Sequence, residues 1–237
     1  MKNKSIVTMI MGLAMLPLGG MAQTTRQEYK DIIDINLTPS VPRRQNGCFS
    51  DMGSWMGFTL PEAAKPVAGI CGPYSIYYRN WYARSLVTVK DASLESSVYS
   101  PGEVNLIAKA HETKLVQSLQ FVDARTALLT ITNISRKPFT LTADSISSKM
   151  NLSLQDNVLS VINLNGERVM VSFPDIVKVA LDGHNYVASV PFGVEKLAVG
   201  ISIVEQETEA SVQQVHVASL LANPMPALQA NDARWNG

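Results

Sequence analysis

The sequence has few residues of the kinds that act as nucleophiles or bind metals. It contains two cysteines and three histidines in 237 residues, and His111, His184 and His216 fall in a predicted strand end, a turn and a helix. It has no G-x-S-x-G stretch, no histidine cluster and no phosphate-binding glycine loop. These absences argue against a serine hydrolase, a metalloenzyme and a nucleotide-binding enzyme, and we expect neither a cofactor nor a metal.

The sequence also lacks an excess of charge of either sign. Lys and Arg together number 20, as do Asp and Glu, and neither sign forms a block. Nucleic acids and anionic membrane surfaces attract proteins with basic patches or runs. The charge pattern therefore argues against both as partners.

One long uncharged run is present, at the N-terminus. Lys2 and Lys4 precede an apolar run from residue 5 to residue 20, and small residues near Ala22 offer a cleavage site, which is the pattern of a secretory signal. The run is interrupted by a proline and is shorter than the roughly 20 apolar residues that span a bilayer. We predict that residues 1–22 are a signal peptide, with no membrane anchor and a periplasmic or secreted product.

From residue 85 to residue 204 the sequence alternates apolar and polar residues with a period of two. The alternating segments are short, rich in β-branched residues and separated by Asp, Asn, Gly or Pro. They include SLVTVK, EVNLIAKAH, KLVQSLQFV, TALLTITNIS, FTLTADS, VLSVINL, RVMVSF and KLAVGISIV. About ten to twelve strands with no helix between them predict a large antiparallel two-sheet sandwich, which we assign to residues 23–205.

After residue 205 the pattern becomes helical. Thr208 is a suitable N-cap, Pro224 ends the first helix and Pro226 begins a second. The second helix carries Trp235, for which the sequence offers no obvious packing partner. We interpret residues 206–237 as a helical linker and expect the sequence to be truncated within it.

Three stretches resemble the N-terminal β-sandwich of bacterial enzymes in glycoside hydrolase family 63, the family of processing α-glucosidase. They are FSDMGSWMGFTLP in the first third, ARTALLTITNIS at 124–135, and NDARW near the end. The resemblance implies a sandwich joined by a helical linker to an (α/α)6 barrel. In that family the barrel holds the two carboxylic acids that hydrolyse an α-glycosidic bond with inversion.

This resemblance places the catalytic residues beyond Gly237, so none is expected in this chain. The implied partners are the barrel of the same polypeptide and the oligosaccharide substrate of the parent enzyme. The alternative is a free-standing secreted β-sandwich that binds carbohydrate or a protein.

The segment GCFSDMGSWMGFTLPE at 47–62 is more apolar than a surface loop can leave exposed. In one interpretation Phe49, Trp55 and Phe58 pack on the missing barrel near its pocket, and Asp51 bonds to the linker backbone or to a sugar hydroxyl. In the other, the aromatic residues belong to the core of the first strand.

A second aromatic segment, YSIYYRNWYARS at 74–85, supplies a candidate sugar platform. Aromatic faces stack on pyranose rings, so Tyr77 and Trp81 are candidates for this role. The alternative, which we favour, is a strand whose alternate rings fill the core.

Two further sets of residues have a structural and a functional interpretation. Cys48 and Cys71 could form a disulfide in an oxidising compartment, or be two buried thiols. The carboxylate pairs Asp91 with Glu95 and Glu205 with Glu209 lie in polar, turn-like contexts, and we interpret them as solvated side chains rather than as an acid and base pair.

Overall fold

The computed structural model describes residues 48–111 and 113–236. The predicted signal peptide and its cleavage near Ala22 lie outside the described residues.

The described residues form fifteen strands followed by two helices. The strands are β1 (Met56–Thr59), β2 (Cys71–Ser75), β3 (Asn80–Trp81), β4 (Ala83–Val89), β5 (Ser93–Ser100), β6 (Glu103–Ala110), β7 (Thr113–Asp123), β8 (Thr126–Asn133), β9 (Phe139–Ile146), β10 (Asn151–Gln155), β11 (Val158–Ile162), β12 (Arg168–Ser172), β13 (Lys178–Leu181), β14 (Tyr186–Val190) and β15 (Lys196–Val204). The helices are α1 (Glu207–Ala222) and α2 (Met225–Asn236).

The strands form two sheets. One has the order β1-β2-β4-β9-β14-β13, with β3 paired to β2, and the other has the order β10-β11-β12-β15-β8-β7-β6-β5. Strands β2 and β4 are parallel, at Gly72 and Ser85, and the other pairs among the described strands are antiparallel. The predicted β-sandwich followed by a helical end is confirmed.

Alternating side chains fill the space between the sheets. In β7, Leu115 and Leu119 are buried while Lys114 is exposed. The two leucines belong to one continuous core with Phe58, Leu86 and others. Each fully buried apolar side chain of this size contributes about 1.5–3 kcal/mol. This burial is why the sequence alternates so regularly from residue 85 onward.

The alternation failed to predict two strands, β5 and β10. They are the two edge strands of the eight-stranded sheet, and both are largely exposed or half-buried on both faces. An edge strand with little buried surface does not need an apolar face. Gly102, Gly166 and Gly183 lie in the turns between β5 and β6, β11 and β12, and β13 and β14, and each has the positive φ that a tight turn needs.

Helix α1 lies across β15 and β12. It begins at Glu207, so the residue before it is Gln206 rather than the predicted cap Thr208, and no side chain caps the helix. Glu207 and Glu209 in the first turn interact favourably with the helix dipole. Within the described part of the chain, no helix has the length and apolar character needed to cross a membrane.

Candidate functional site: the helix junction and an aromatic cleft

The first of the three stretches that carry the family resemblance contacts both of the others. The amide of Trp55 donates to the carbonyl of Ala124 at 3.1 Å, and the guanidinium carbon of Arg125 lies 4.5 Å from the centre of the Trp55 ring. Arg125 in turn donates to Glu209 of α1 at 2.8 Å. We call the cluster formed by Asp51, Trp55, Arg125, Arg234 and Trp235 the helix junction.

Asp51 holds α2 to the junction. Its Oδ1 accepts from Arg234 Nη1 at 2.9 Å, its Oδ2 accepts from Trp235 Nε1 at 3.2 Å, and Arg234 Nη2 makes a further bond to Oδ2. Burial alone would raise the pKa of Asp51, but the bonds from Arg234, the Met52 amide and Trp235 outweigh it and hold the pKa below its usual value. Asp51 therefore stays ionised and paired near neutral pH.

A second group of contacts fixes α2 against the β5–β6 hairpin and β7. The buried amide of Asn231 donates to the carbonyl of Gly102 at 3.1 Å, and Gln120 Nε2 donates to Asp232 at 3.1 Å. A Cβ on Gly102 would lie 2.0 Å from the Trp235 ring, so this glycine lets the indole lie directly on the turn. The position of α2 is thus set by several polar contacts and one close approach.

Helix α1 is fixed at a different turn, between β7 and β8. His216 Nε2 lies 2.9 Å from Asp123 Oδ2, and Arg125 bonds Glu209 as described above. Asp123 and Arg125 flank the β7–β8 turn. Both helices are therefore attached to loops at the junction as well as to the sheet.

The structure corrects part of the predicted domain interface. Phe49 and Phe58 are buried in the core, where their ring centres lie 5.4 Å and 5.9 Å from that of Phe121. Of the two interpretations of this segment, the one that assigns the rings to the core therefore holds for Phe49 and Phe58. Trp55 is half-buried and packs against the same core.

The expectation that Trp235 has nothing to pack on is also wrong. The indole lies on Gly102 and bonds Asp51, although 40% of Trp235 stays exposed. The sequence could not reveal this contact, because the two partners are far apart along the chain. Asp51 bonds the side chains of Arg234 and Trp235, and not the linker backbone or sugar hydroxyl predicted for it.

Elsewhere on the sandwich, three loops enclose an open cleft of about 350 Å³. Its lining consists of Tyr78, Asn80 and Trp81 from the first loop, Ser147, Lys149 and Met150 from the second, and Asn163, Leu164 and Asn165 from the third. The lining thus combines two aromatic rings with three side-chain amides. We call it the aromatic cleft.

The aromatic cleft receives one of the two predicted sugar-stacking residues. Trp81 lines it, with its ring centre 5.1 Å from that of Tyr74. Tyr77 is 67% exposed and is not part of the lining, but it packs edge-on against Tyr78, with ring centres 4.8 Å apart. Tyr78, which was not among the predicted residues, is the second aromatic residue of the lining.

A buried carboxylate, Glu167, lies next to this loop system and was missed from the sequence. Its Oε1 accepts from the Tyr82 hydroxyl at 2.8 Å, and its Oε2 accepts from the Ser75 hydroxyl at 3.1 Å. Burial raises the pKa of Glu167, and the bonds from Ser75 and Tyr82 only partly oppose this. In the sequence Glu167 follows the turn glycine of LNGE, so nothing distinguished it from an exposed turn residue.

The remaining candidates carry no chemistry of their own. Cys48 and Cys71 are free thiols, so the alternative of a disulfide is not realised, and burial raises the pKa of each to about 12. Glu95 is paired with Lys114 and Glu209 with Arg125. No group of three or more His, Cys, Asp or Glu side chains in the described ranges could hold a metal ion.

No protein-family model matches the chain, and no curated protein matches it in sequence. Among solved structures, it is similar to a heparinase III with methylated lysines (TM-score 0.38, 15% identity, 53% of this chain and 24% of that one). It is also similar to the heparan sulfate lyase HepC from Pedobacter heparinus (TM-score 0.38, 12% identity, 64% of this chain and 30% of that one). A third similar structure is a mutant glycoside hydrolase of family 81 from Clostridium thermocellum (TM-score 0.40, 13% identity, 78% of this chain and 26% of that one).

These neighbours are polysaccharide lyases and a glycoside hydrolase, and the chain spans between about a quarter and a third of their lengths. The similarities are too distant to decide an activity.

Proposed function

We propose that this chain is the non-catalytic N-terminal β-sandwich domain of an exported carbohydrate-active enzyme of the family 63 type. In this proposal it packs on an (α/α)6 catalytic barrel of the same polypeptide, through its helical segment, and shapes one side of the barrel's entrance. The barrel would supply both catalytic carboxylic acids and bind the oligosaccharide substrate.

The observation that carries the proposal is the helix junction. Arg125 contacts the Trp55 ring and pairs with α1, and Asp51 pairs with α2. A flexible tether between independent domains needs no such contacts, whereas a segment that orients a second domain must be held rigidly. The three stretches that resemble family 63 are the ones that build this attachment.

A second observation supports a neighbour beside α1. The face of α1 that points away from the sheets exposes Val212 (72%) and Val215 (73%), next to the exposed Ser211 and Ala218. This face carries small and apolar side chains, while the opposite face packs on β15 through Val217. Exposed apolar surface of this kind is typical of a contact with another domain.

The first experiment reads the gene beyond Gly237 and expresses the full protein beside the 237-residue chain. The proposal predicts barrel sequence with carboxylate-bearing helices, and hydrolysis of an aryl α-glucoside by the full protein but not by the chain alone. A stop codon directly after Gly237 favours the free-standing module. Turnover by the isolated chain contradicts a non-catalytic role.

The second experiment tests the α1 face with Val212→Asp and Val215→Asp together. Both side chains are mostly exposed in the chain alone, so its melting temperature should change by less than about 2 °C, as for typical surface substitutions. In the full protein the same pair should lower the melting temperature by several degrees and reduce turnover. The matched control is Phe192→Asp, at a residue 77% exposed in the turn before β15 and outside the aromatic cleft, which should be neutral in both proteins. Equal effects of the valine pair in both proteins contradict the interface.

A further inference from the structure

The aromatic cleft has the composition of a saccharide-binding site. A pyranose ring offers an apolar face, which aromatic rings cover, and a rim of hydroxyls, which amides and hydroxyls bind in both directions. Tyr78 and Trp81 provide the rings, and Asn80, Asn165 and Ser147 provide the polar groups. Of the described side chains that line the cleft, Lys149 alone carries a charge.

The two rings are held in place before any ligand arrives. Trp81 pairs with Tyr74 through the β2–β3 backbone and packs against its ring. The Tyr78 ring is supported on one side by Tyr77. A preformed aromatic surface loses little side-chain entropy on binding, which favours affinity.

Glu167 supports the same loop from beneath. The Ser75 hydroxyl donates to Glu167 at 3.1 Å and accepts from the backbone amide of Tyr78 at 3.1 Å. The Asn163 amide lies 3.4 Å from Glu167 Oε1, and Asn163 Oδ1 accepts from the amide of Asn165 at 2.9 Å. One buried carboxylate thereby connects the first and third loops of the cleft and fixes their spacing.

We infer that the aromatic cleft binds one or two pyranose rings of an oligosaccharide, with Tyr78 and Trp81 stacked on the sugar and Asn80 and Asn165 bonded to its hydroxyls. The inference rests on the proposed function for the class of ligand, since the domain of a carbohydrate-active enzyme meets oligosaccharide at its surface. The cleft does not hydrolyse the sugar. It holds substrate, at a place separate from the barrel that the proposed function invokes.

The test uses the 237-residue chain with maltotriose and with a digalacturonate as probes, at concentrations up to several millimolar. Binding is followed by tryptophan fluorescence and by the NMR shifts of the three indole N–H groups. We expect at least one probe to shift the Trp81 indole signal, and Trp81→Ala and Asn165→Ala each to weaken binding at least tenfold. Asn165 is exposed, so Asn165→Ala should leave the fold intact even if Trp81→Ala does not.

Two controls define the site and the ligand. Phe192→Ala removes an exposed ring, 77% exposed, that does not line the cleft, and it should leave binding unchanged. If the cleft prefers acidic sugars, Lys149→Gln should weaken the binding of the digalacturonate at least threefold more than the binding of maltotriose. If it prefers neutral sugars, the change should weaken the binding of both probes equally. Either result agrees with the inference and shows which class of sugar the cleft prefers.

The inference is overturned if neither probe shifts the Trp81 signal, or if Asn165→Ala and Trp81→Ala both bind as the unaltered chain does. These outcomes do not depend on the α1 face. A chain that fails to bind sugar can still show the interdomain effect of the valine pair, so the two proposals fail separately.

Discussion

The carboxylate of Asp51 and the guanidinium of Arg234 lie 183 residues apart in sequence and form two hydrogen bonds, one of them 2.9 Å long. Asp51 belongs to the loop before the first strand, and Arg234 to the last turn of α2. Trp235 donates to the same carboxylate. One side chain near the beginning of the described chain thus helps to hold the final helix in place.

We expect Asp51→Asn and Arg234→Gln each to lower the free energy of unfolding by about 1 kcal/mol, since Arg234 is partly exposed and solvent weakens the pair. The double variant should lose less than the sum, because the two residues share one interaction. Urea unfolding measures all three. The control is Glu95→Gln, in an exposed pair with Lys114, and it should change stability little. Losses that add fully in the double variant of Asp51 and Arg234 would contradict the pairing.

The Asp51 pair should also make stability sensitive to acid. The pKa of Asp51 is held below its value in the unfolded chain, about 3.9. Its contribution to the free energy of unfolding is therefore present above about pH 3.9, and it is lost as the pH falls through the folded-state pKa. As the pH is lowered from 6 to 3, the melting temperature should fall more steeply for the unaltered chain than for Asp51→Asn.

Gly102→Ala should displace Trp235. The new Cβ would meet the indole at 2.0 Å, and Gly102 also has a φ of +74°. To separate the two causes we compare Gly166→Ala, where φ is +88° and nothing lies within 4 Å. Gly102→Ala should lower the melting temperature more than Gly166→Ala does, and it should shift tryptophan fluorescence to the red. Adding Trp235→Ala should remove the extra loss in melting temperature. Equal effects of Gly102→Ala and Gly166→Ala would contradict the close approach.

Gly200→Ala should lift α1 from the sheet. Its Cβ would lie 2.3 Å from Val217 Cγ1, and Val217 is fully buried. We expect a loss of about 1–3 kcal/mol from overpacking. The double change Gly200→Ala with Val217→Ala should recover part of this loss in thermal melts, and no recovery would show that the clash lies elsewhere.

Replacing Glu167 should separate its charge from its hydrogen bonds. Glu167→Ala leaves the Ser75 hydroxyl without its acceptor and leaves the Tyr82 hydroxyl only the backbone carbonyl of residue 167, at 3.1 Å. It should cost about 2 kcal/mol. Glu167→Gln keeps an acceptor without the charge and should cost less at pH 7.

The pH dependence follows from the direction of the Glu167 pKa shift. Because the pKa is raised on folding, the contribution of Glu167 is full below the unfolded value of about 4.3 and is lost as the pH rises through the folded-state pKa. Urea unfolding from pH 4 to pH 8 should show this decline in the unaltered chain and not in Glu167→Gln. Parallel pH profiles would mean that Glu167 does not titrate differently in the folded state.

Much of the sandwich could be predicted because each core strand carries its own evidence. Strands such as β6 and β7 bury alternate residues over much of their length, and the alternation is visible within eight to eleven positions. The edge strands β5 and β10 bury little and leave no such pattern. For Phe49 and Phe58 the limit was a different one. An aromatic residue in the core and an aromatic residue at an interface look alike in sequence.

The sites were less predictable than the fold. The sequence indicated that Trp81 and the Trp55 segment were unusual, but it could not show that Tyr78 rather than Tyr77 lines the cleft. That outcome depends on how the turn between β2 and β3 folds back. Glu167 became recognisable only when folding brought Ser75 and Tyr82 to it from about ninety residues away.

The amino-acid sequence by itself determined the strand periodicity, the glycine turns and the change to helix after residue 205, because these depend on neighbours a few positions apart. The tertiary structure alone decided which charges meet, which rings are covered and where the cleft forms. Those contacts join residues whose separation is set by strand order and sheet stacking, and no local spacing along the chain encodes them.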